Sequence, residues 1–311
     1  MFEHLCGAVI DEAATDAVCL ALASQGEEPL FAQARPGLKG YGKNATVLLW
    51  TAEEKLWNQT LPAESQNRGT CVSRGTKTAC QDSLNWAIST GELLGGPTLV
   101  AYEPIYGGAR IQIGRGSLGR SDGAIGAYAA QYVHDYGLVQ RGVYGTIDLS
   151  RSHEDLAVIW GNPGHGVPAS IVSESSAYKV KACFRCQTAD DIADAIAAGY
   201  GVAFCSNVIW GSVRDGDGMC RPSGSGGHCE AVRGVFIDWK GRRCFVRQQS
   251  WGEHPNGPPY VRLMGGRLVK LPQGAYGAYE GDMASALRTG EAWAFSPPRN
   301  TWNRPKPSEA A

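Results

Sequence analysis

The stretch from Ser65 to Ser73 places the strongest constraint on the fold, because it sets Cys71 at the predicted start of a long helix. Small or apolar residues recur at helical spacing from Val72 to Ile88, Thr70 stands at the N-cap position, and Gly91 follows as a stop. Unsatisfied backbone N–H groups and the positive end of the helix dipole meet in a first turn, and both favour a thiolate. The sequence therefore predicts a reactive cysteine at the start of a helix over 71–90.

Two later segments carry side chains that complement a reactive cysteine. One is Gly226-Gly227-His228-Cys229-Glu230-Ala231-Val232, and the other is Arg247-Gln248-Gln249-Ser250-Trp251-Gly252. Strands are predicted at 230–238, 242–249 and 260–264. The chain thus presents a cysteine, then a histidine at the start of a strand, then an amide side chain before Ser-Trp-Gly.

This order of motifs resembles that of papain-like cysteine peptidases, and the likeness covers roughly residues 60 to 265. The resemblance implies an α+β fold with a helical half that begins at Cys71, an antiparallel sheet or barrel half, and an active site in the cleft between them. It implies that Cys71 is the nucleophile, stored as a thiolate–imidazolium pair with His228. It also implies that Gln66 donates to the oxyanion and that Trp251 shields His228 and its orienting partner, Gln249, from water.

A glycine loop that binds substrate backbone precedes a helix ending in Tyr-Gly in the same family. A helix is predicted here over 123–136, with Ser121 or Asp122 as its cap. Asp122 and Gly123 are therefore candidates for the contact with substrate backbone. A cap and a turn without a binding role is the alternative.

Three departures from the family pattern bear on activity. Gln249 replaces an asparagine, the gap from Gln66 to Cys71 is one residue shorter than usual, and Val72 replaces an aromatic residue. Two functions stay open: a peptidase or amidase acting on protein or peptide, and a binding or structural protein that retains the fold with a weak or inactive site. A cell-wall amidase is disfavoured by Ser250-Trp251-Gly252 and by the lack of a basic or repeat-rich wall-binding module.

Residues 1–60 form an extension with no counterpart in the mature family, before a papain-like domain at 61–290 and a proline-rich tail at 291–311. A helix near residues 13–21 and a strand or buried segment at 46–50 are predicted within the extension. The extension is either an inhibitory pro-segment or a docking segment, and the absence of a processing site favours docking. Such chains also resemble proteins encoded among tailed-phage structural genes, which implies assembly partners held through the extension and the tail, and a place in a virion.

Charge and hydropathy exclude several other classes. The chain has 29 basic and 30 acidic residues, a balance that favours neither nucleic acid nor an anionic membrane as partner. No basic signal region and no apolar run of 18 residues is present, so a cytoplasmic protein without a membrane span is expected. The ten cysteines are expected to be mostly reduced core residues, with no cofactor. Cys183 and Cys186 have metal or redox spacing, but alternation on a strand explains them equally well and no metal is expected.

The remaining elements follow from local signals. Residues 95–119 are glycine-rich and predict a loop, a short helix is expected over 188–198 with Gly199 as its stop, and 201–206 predict a strand.

Overall fold

The computed structural model describes residues 5–302, in which helices precede and flank an antiparallel sheet. The helices are α1 Glu12–Ser24, α2 Phe31–Ala34, α3 Trp50–Trp57, α4 Cys71–Thr90, α5 Glu103–Gly108, α6 Gly126–Asp135, α7 Glu154–Trp160, α8 Ala169–Ser175, α9 Ala189–Ala197 and α10 Glu280–Leu287. The strands are β1 Val47–Leu48, β2 Val143–Tyr144, β3 Ile147–Asp148, β4 Cys183–Cys186, β5 Gly201–Trp210, β6 Pro222–Ile237, β7 Arg243–Gln248, β8 Tyr260–Arg262, β9 Leu268–Lys270, β10 Ala275–Tyr279 and β11 Gly290–Phe295.

The main sheet has the strand order β10-β7-β6-β5-β11-β4, and β1 pairs with β6 off this path. Its ladders are antiparallel. The long strand β6 pairs with β5 along its first part and with β7 along its second part. A register shift between Val232 and Gly234 marks the change, and such an irregularity bends a strand and redirects its side chains.

Helix α4 spans the predicted residues, Cys71–Thr90, and Gly91 ends it in the left-handed conformation at φ 82°. Thr70 occupies the cap position, yet its hydroxyl makes no cap bond and donates instead to Glu154 at 2.7 Å. The helix packs against β6 and β5 through small residues. A Cβ on Gly75 would lie 2.9 Å from the sulfur of Cys229, so glycine allows the helix to lie directly on β6.

Three predicted elements differ in the structure. Strand β6 begins at Pro222 rather than at residue 230, so His228 lies within this strand and not at its start. Helix α6 begins at Gly126 rather than Gly123, because Ala124 is extended and forms a parallel bridge with Ala8. The predicted loop over 95–119 contains α5 and a π-helical turn at Ala109–Ile113. Gly107 and Gly108 allow close packing, since a Cβ on Gly108 would overlap the ring of Tyr132, whereas Gly116 and Gly119 turn the chain at positive φ.

The N-terminal extension is part of the core. Val18 and Leu22 of α1 are 2% and 1% exposed in the same cluster as α4 and α6, and burial of each such side chain contributes about 1.5 to 3 kcal/mol. The predicted helix near residues 13–21 and the strand near 46–50 are confirmed as α1 and β1. The proline-rich tail begins later than residue 291, because 290–295 form β11 between β5 and β4. The tail beyond 302 lies outside the described residues.

Cys183 and Cys186 lie on β4 and face different cores, one shared with α1 and α6 and the other with α9. Three residues apart on a strand, they point to opposite faces, which is the strand alternative to a metal pair. Within residues 5–302, no group of three or more His, Cys, Asp or Glu side chains is arranged to hold a metal. None of the helices in that range combines the length and apolar character needed to cross a membrane.

Candidate active site

Cys71 is the first residue of α4 and is completely buried. Burial raises the pKa of its thiol well above the usual value, and backbone hydrogen bonds from Cys229 and Gly7 oppose that rise without cancelling it. The thiol is therefore protonated at neutral pH in this structure. A helix start alone would favour a thiolate. Here the cost of removing a charged sulfur from water exceeds the stabilisation that the helix end provides, so the thiol keeps its proton.

Residues 5–9, here called the cleft segment, lie between the start of α4, the loop before α6 and strand β6 at Gly227. The carbonyl of Gly7 accepts from Ala124 N at 2.8 Å, and Val9 N donates to the Ala124 carbonyl at 2.9 Å. On the other side, Ala8 N donates to the carbonyl of Gly227 at 2.9 Å. The site thus holds a peptide backbone by main-chain bonds from two sides, directly at Cys71.

Gln66 presents its side-chain amide to this segment. Its Nε2 donates to the carbonyl of Leu5 at 2.7 Å and to the carbonyl of Arg68 at 2.8 Å, and its Oε1 accepts from Ser250. The side chain is 2% exposed, and its backbone N also donates to the Ser250 carbonyl at 3.0 Å. The amide is therefore fixed with a donor aimed at a peptide carbonyl.

A glycine–glycine contact lets the cleft segment lie this deep. A Cβ on Gly7 would lie 2.2 Å from the carbonyl oxygen of Gly69, closer than real contacts allow. Any side chain at residue 7 must therefore move the segment or the loop that precedes Cys71.

His228 lies within β6, six residues after its first residue, and pairs with Ser206 of β5. It is 2% exposed, and its ring stacks on Trp251 with centroids 4.1 Å apart and planes at 26°. Burial and the charge of Arg247 lower the pKa of the imidazole to about 3, so the ring is neutral. Among residues 5–302 neither ring nitrogen has a hydrogen-bond partner, so the structure brings His228 beside Trp251 without a bond to Cys71 or Gln249.

Gln249 follows β7 and its side chain is turned to its own loop. Its Oε1 accepts from the backbone N of Trp251, and its Nε2 donates to the carbonyl of His254. Both ends of the amide are thereby occupied. The position before Ser-Trp-Gly is as predicted, but the expected contact with the imidazole is not formed.

Asp122 and Gly123 lie on the loop that meets the cleft segment. Asp122 is exposed, and the backbone of Gly123 bonds to Tyr106 and Arg110. Ala124, one residue further, makes both main-chain bonds to the segment. Gly123 is instead needed for its backbone. Its φ of 106° favours glycine, and a side chain at this position would clash with Gly7.

Sequence reasoning missed a buried charged group beside His228. Glu230 is 2% exposed, with its Oε2 at 2.6 Å from Arg247 Nε and 2.5 Å from the Tyr276 hydroxyl. Its Oε1 lies 3.7 Å from His228 Nε2. An acidic residue two positions from the histidine, on a strand predicted to be largely buried, was the available signal, since a buried carboxylate requires partners.

No family model matches the sequence, and no curated protein matches it either. Solved structures do match. Xylellain, a cysteine protease from Xylella fastidiosa, aligns with a TM-score of 0.55 at 15% identity, covering 83% of this chain and 89% of that one. Procathepsin B S9 from Trypanosoma congolense aligns with a TM-score of 0.51 at 12% identity, covering 82% and 77%. At these identities the likeness shows a common fold.

Proposed function

We propose that this chain, which has the α+β fold of papain-like cysteine proteases, is a cysteine peptidase or amidase acting on protein or peptide substrates. Cys71 is its nucleophile and His228 its acid–base partner. Gln66 stabilises the oxyanion.

The contact between Gln66 and Leu5 carries this proposal. An oxyanion donor must lie where the carbonyl oxygen of the attacked bond will sit, within hydrogen-bond distance. The Gln66 amide is 2.7 Å from a peptide carbonyl, on a segment whose Gly7 N–H reaches the sulfur of Cys71. A thiol, an amide donor and a peptide backbone thus meet at one place.

The chemical step follows from these residues. His228 takes the thiol proton of Cys71, and the sulfur attacks the substrate carbonyl carbon while negative charge develops on its oxygen. The Gln66 amide and the backbone N–H of Cys71 stabilise that oxygen. The imidazolium gives its proton to the leaving amine, and water then hydrolyses the thioester.

Residues 5–9 occupy the place that a substrate backbone needs. We expect activity to require displacement of the cleft segment, which also returns water to Cys71 and His228 and brings their pKa values back toward their ordinary ranges. The position of this segment favours a pro-segment role for the start of the extension.

A thiol-directed peptide probe tests the proposal, with mass spectrometry of the Cys71 peptide as readout. A protein lacking residues 1–9 should label at Cys71 and cleave a mixed peptide library, and Cys71→Ala should do neither. Gln66→Ala in the shortened protein should be alkylated at Cys71 by iodoacetamide at the unchanged rate but lose about 100-fold or more in peptide turnover, because alkylation needs no oxyanion donor. No labelling of Cys71 in the shortened protein would contradict the proposal.

A second candidate is a binding or structural subunit with a catalytically weak or inactive site, and one observation favours it. Within the described residues His228 bonds to neither Cys71 nor Gln249. A subunit of a tailed-phage virion is the form of this candidate that the sequence resemblance implies, with partners docked on the extension and tail. Rapid labelling of Cys71 without cleavage of any peptide would support this candidate, and turnover would exclude it.

A further inference from the structure

His228 and Glu230 lie on the same face of β6, because side chains two residues apart on a strand point the same way. Cys229, between them, takes the other face and packs on Gly75 of α4. Nε2 of His228 is the ring atom that faces the carboxylate, at 3.7 Å from Oε1 of Glu230. Nδ1 has no hydrogen-bond partner among residues 5–302.

The carboxylate of Glu230 is held in place from its far side. Its Oε2 meets Arg247 Nε at 2.6 Å and the Tyr276 hydroxyl at 2.5 Å. Arg247 is itself fixed, since its guanidinium lies 4.6 Å from the ring centroid of Phe204 and 4.5 Å from that of Trp210. With Oε2 engaged, Oε1 is the oxygen left for the imidazole.

Gln249 is poorly placed for this role. To present its carbonyl to His228 it must give up bonds to Trp251 N and the His254 carbonyl. It also carries no charge, whereas a carboxylate forms a stronger bond to the imidazolium that arises during catalysis.

We propose that Glu230, rather than Gln249, is the positioning residue that orients His228. His228 Nε2–H donates to Oε1 of Glu230 once the ring approaches by about 1 Å, the difference between 3.7 Å and an ordinary hydrogen bond. Nδ1 is then the atom that takes the thiol proton of Cys71 and returns it to the leaving amine. The proton on Nε2 stays where it is throughout. The role in turnover rests on the proposed function, whereas the orientation of the ring does not.

The experiment tests the orientation of the His228 ring separately from the role of Glu230 in turnover. Nitrogen-15 NMR of the imidazoles in Cys71→Ala protein reports the tautomer and pKa of His228 without any need for activity, and His228→Gln identifies its signals among the six histidines. The other titratable groups near the pair are Arg247, Tyr276, Cys220 and His254, and the single variants leave all four in place.

Glu230→Gln should weaken the Nε2–H tautomer and should lower the pKa of His228 further, because a neighbouring negative charge is removed. Gln249→Ala should leave both unchanged. Glu291→Gln, at another carboxylate that is 2% exposed, is the matched control and should also leave both unchanged. In the shortened, Cys71-containing protein, Glu230→Gln should lower kcat about 10- to 100-fold with little change in KM.

Because Glu230→Gln leaves Arg247 without its counter-charge, the double variant Glu230→Gln/Arg247→Met provides a folded test with no net change in buried charge. It should show the same loss of the Nε2–H tautomer. A response to Gln249→Ala with none to the Glu230 variants would overturn the proposal. The expected NMR response in a protein that never turns over peptide would refute the proposed function and leave the orientation of His228 by Glu230 intact.

Discussion

His228 is a buried base, and its environment makes the stability of the protein depend on pH. Burial and the charge of Arg247 lower the folded pKa from 6.5 to about 3. Between these two values the unfolded chain binds a proton that the folded chain does not, so the free energy of unfolding falls as pH is lowered from 6.5 toward 3.

Urea unfolding at pH 7 and pH 5 measures this contribution. From pH 7 to pH 5 the free energy of unfolding of the unmodified protein should fall by roughly 2 kcal/mol more than that of His228→Gln. The reason is that one proton taken up only by the unfolded chain lowers this free energy by about 1.4 kcal/mol per pH unit below 6.5. His165→Gln, at an exposed histidine, should behave as the unmodified protein does. Equal losses in all three proteins would mean that His228 is solvated in the folded state.

At the level of single residues, the sequence located what local signals determine. Cys71 at a helix start follows from periodicity and the glycine stop, whereas His228 lies inside β6 rather than at the predicted strand start. The orienting group that we propose for His228 could not be predicted from the sequence, because its assignment depends on how strands β6, β7 and β10 direct their side chains. Gln249 and Glu230 both lie close to the histidine along the chain or across the sheet, and only the bonds of Gln249 to Trp251 and His254 distinguish them.

At the level of elements, the cleft segment is the unpredicted part. The boundaries of α4 and α9 were predictable from local signals, including the capping box of Thr188 and Asp191. Residues 5–9 carry no periodic pattern of their own, and their partners lie more than 50 residues away at Gln66, Ala124 and Gly227. Such pairing is set by long-range contacts that a local reading does not contain. The same pairing explains why α6 begins at Gly126 rather than Gly123.

Gly7→Ala should displace the cleft segment. Its Cβ would lie 2.2 Å from the Gly69 oxygen and 2.5 Å from two further Gly69 backbone atoms, none of which is a flexible side chain. Cys71 should then react with iodoacetamide about tenfold faster or more. A loss of about 1.4 kcal/mol in the free energy that holds the cleft segment in place corresponds to this ratio. Because burial is what raises the pKa of this thiol, its reaction should also extend to lower pH.

Gly37→Ala is the control, since nothing lies within 4 Å of a Cβ at that position. Mass spectrometry must follow the Cys71 peptide, because Cys6 and Cys19 are half-buried and react as well. Equal rates at Cys71 in both variants would show that residues 5–9 do not limit access to the thiol.

At the level of the whole molecule, one buried cluster joins the two halves that carry the site. Arg233 stands at the register shift of β6 and meets Asp82 of α4 at 2.8 and 2.5 Å and Glu53 of α3 at 2.9 Å. Its remaining nitrogen donates to Gln248 of β7 at 2.7 Å. The sequence does not predict this cluster, because the shift that aims Arg233 at α4 appears only when β6 pairs with both β5 and β7.

The three charged groups are each at most 2% exposed, so their mutual contacts replace water. Burial raises the pKa of Asp82, and the charge of Arg233 opposes that rise. Removal of Arg233 alone would leave two carboxylates buried without a counter-charge. Breaking the cluster is therefore expected to cost more stability, through carboxylates left buried and unpaired, than its bonds contribute while it is intact.

Arg233→Met should lower the free energy of unfolding by about 3 to 5 kcal/mol, whereas Arg185→Met should cost less than about 1 kcal/mol. Arg185 is the matched control because its partners, Glu12 and Asp16, are 65% and 61% exposed in their side chains. Urea unfolding at pH 7, monitored by two spectroscopic probes, provides the comparison.

The stability deficit of Arg233→Met should also depend on pH. In this variant the folded pKa of Asp82 stands further above its unfolded value, so the loss in free energy of unfolding should shrink as pH is lowered toward 5 and grow as pH rises. The cluster fixes α4, which begins at Cys71, against the strand that carries His228 and Glu230. If Arg233→Met lost no more free energy of unfolding than Arg185→Met, apolar packing alone would hold these elements together.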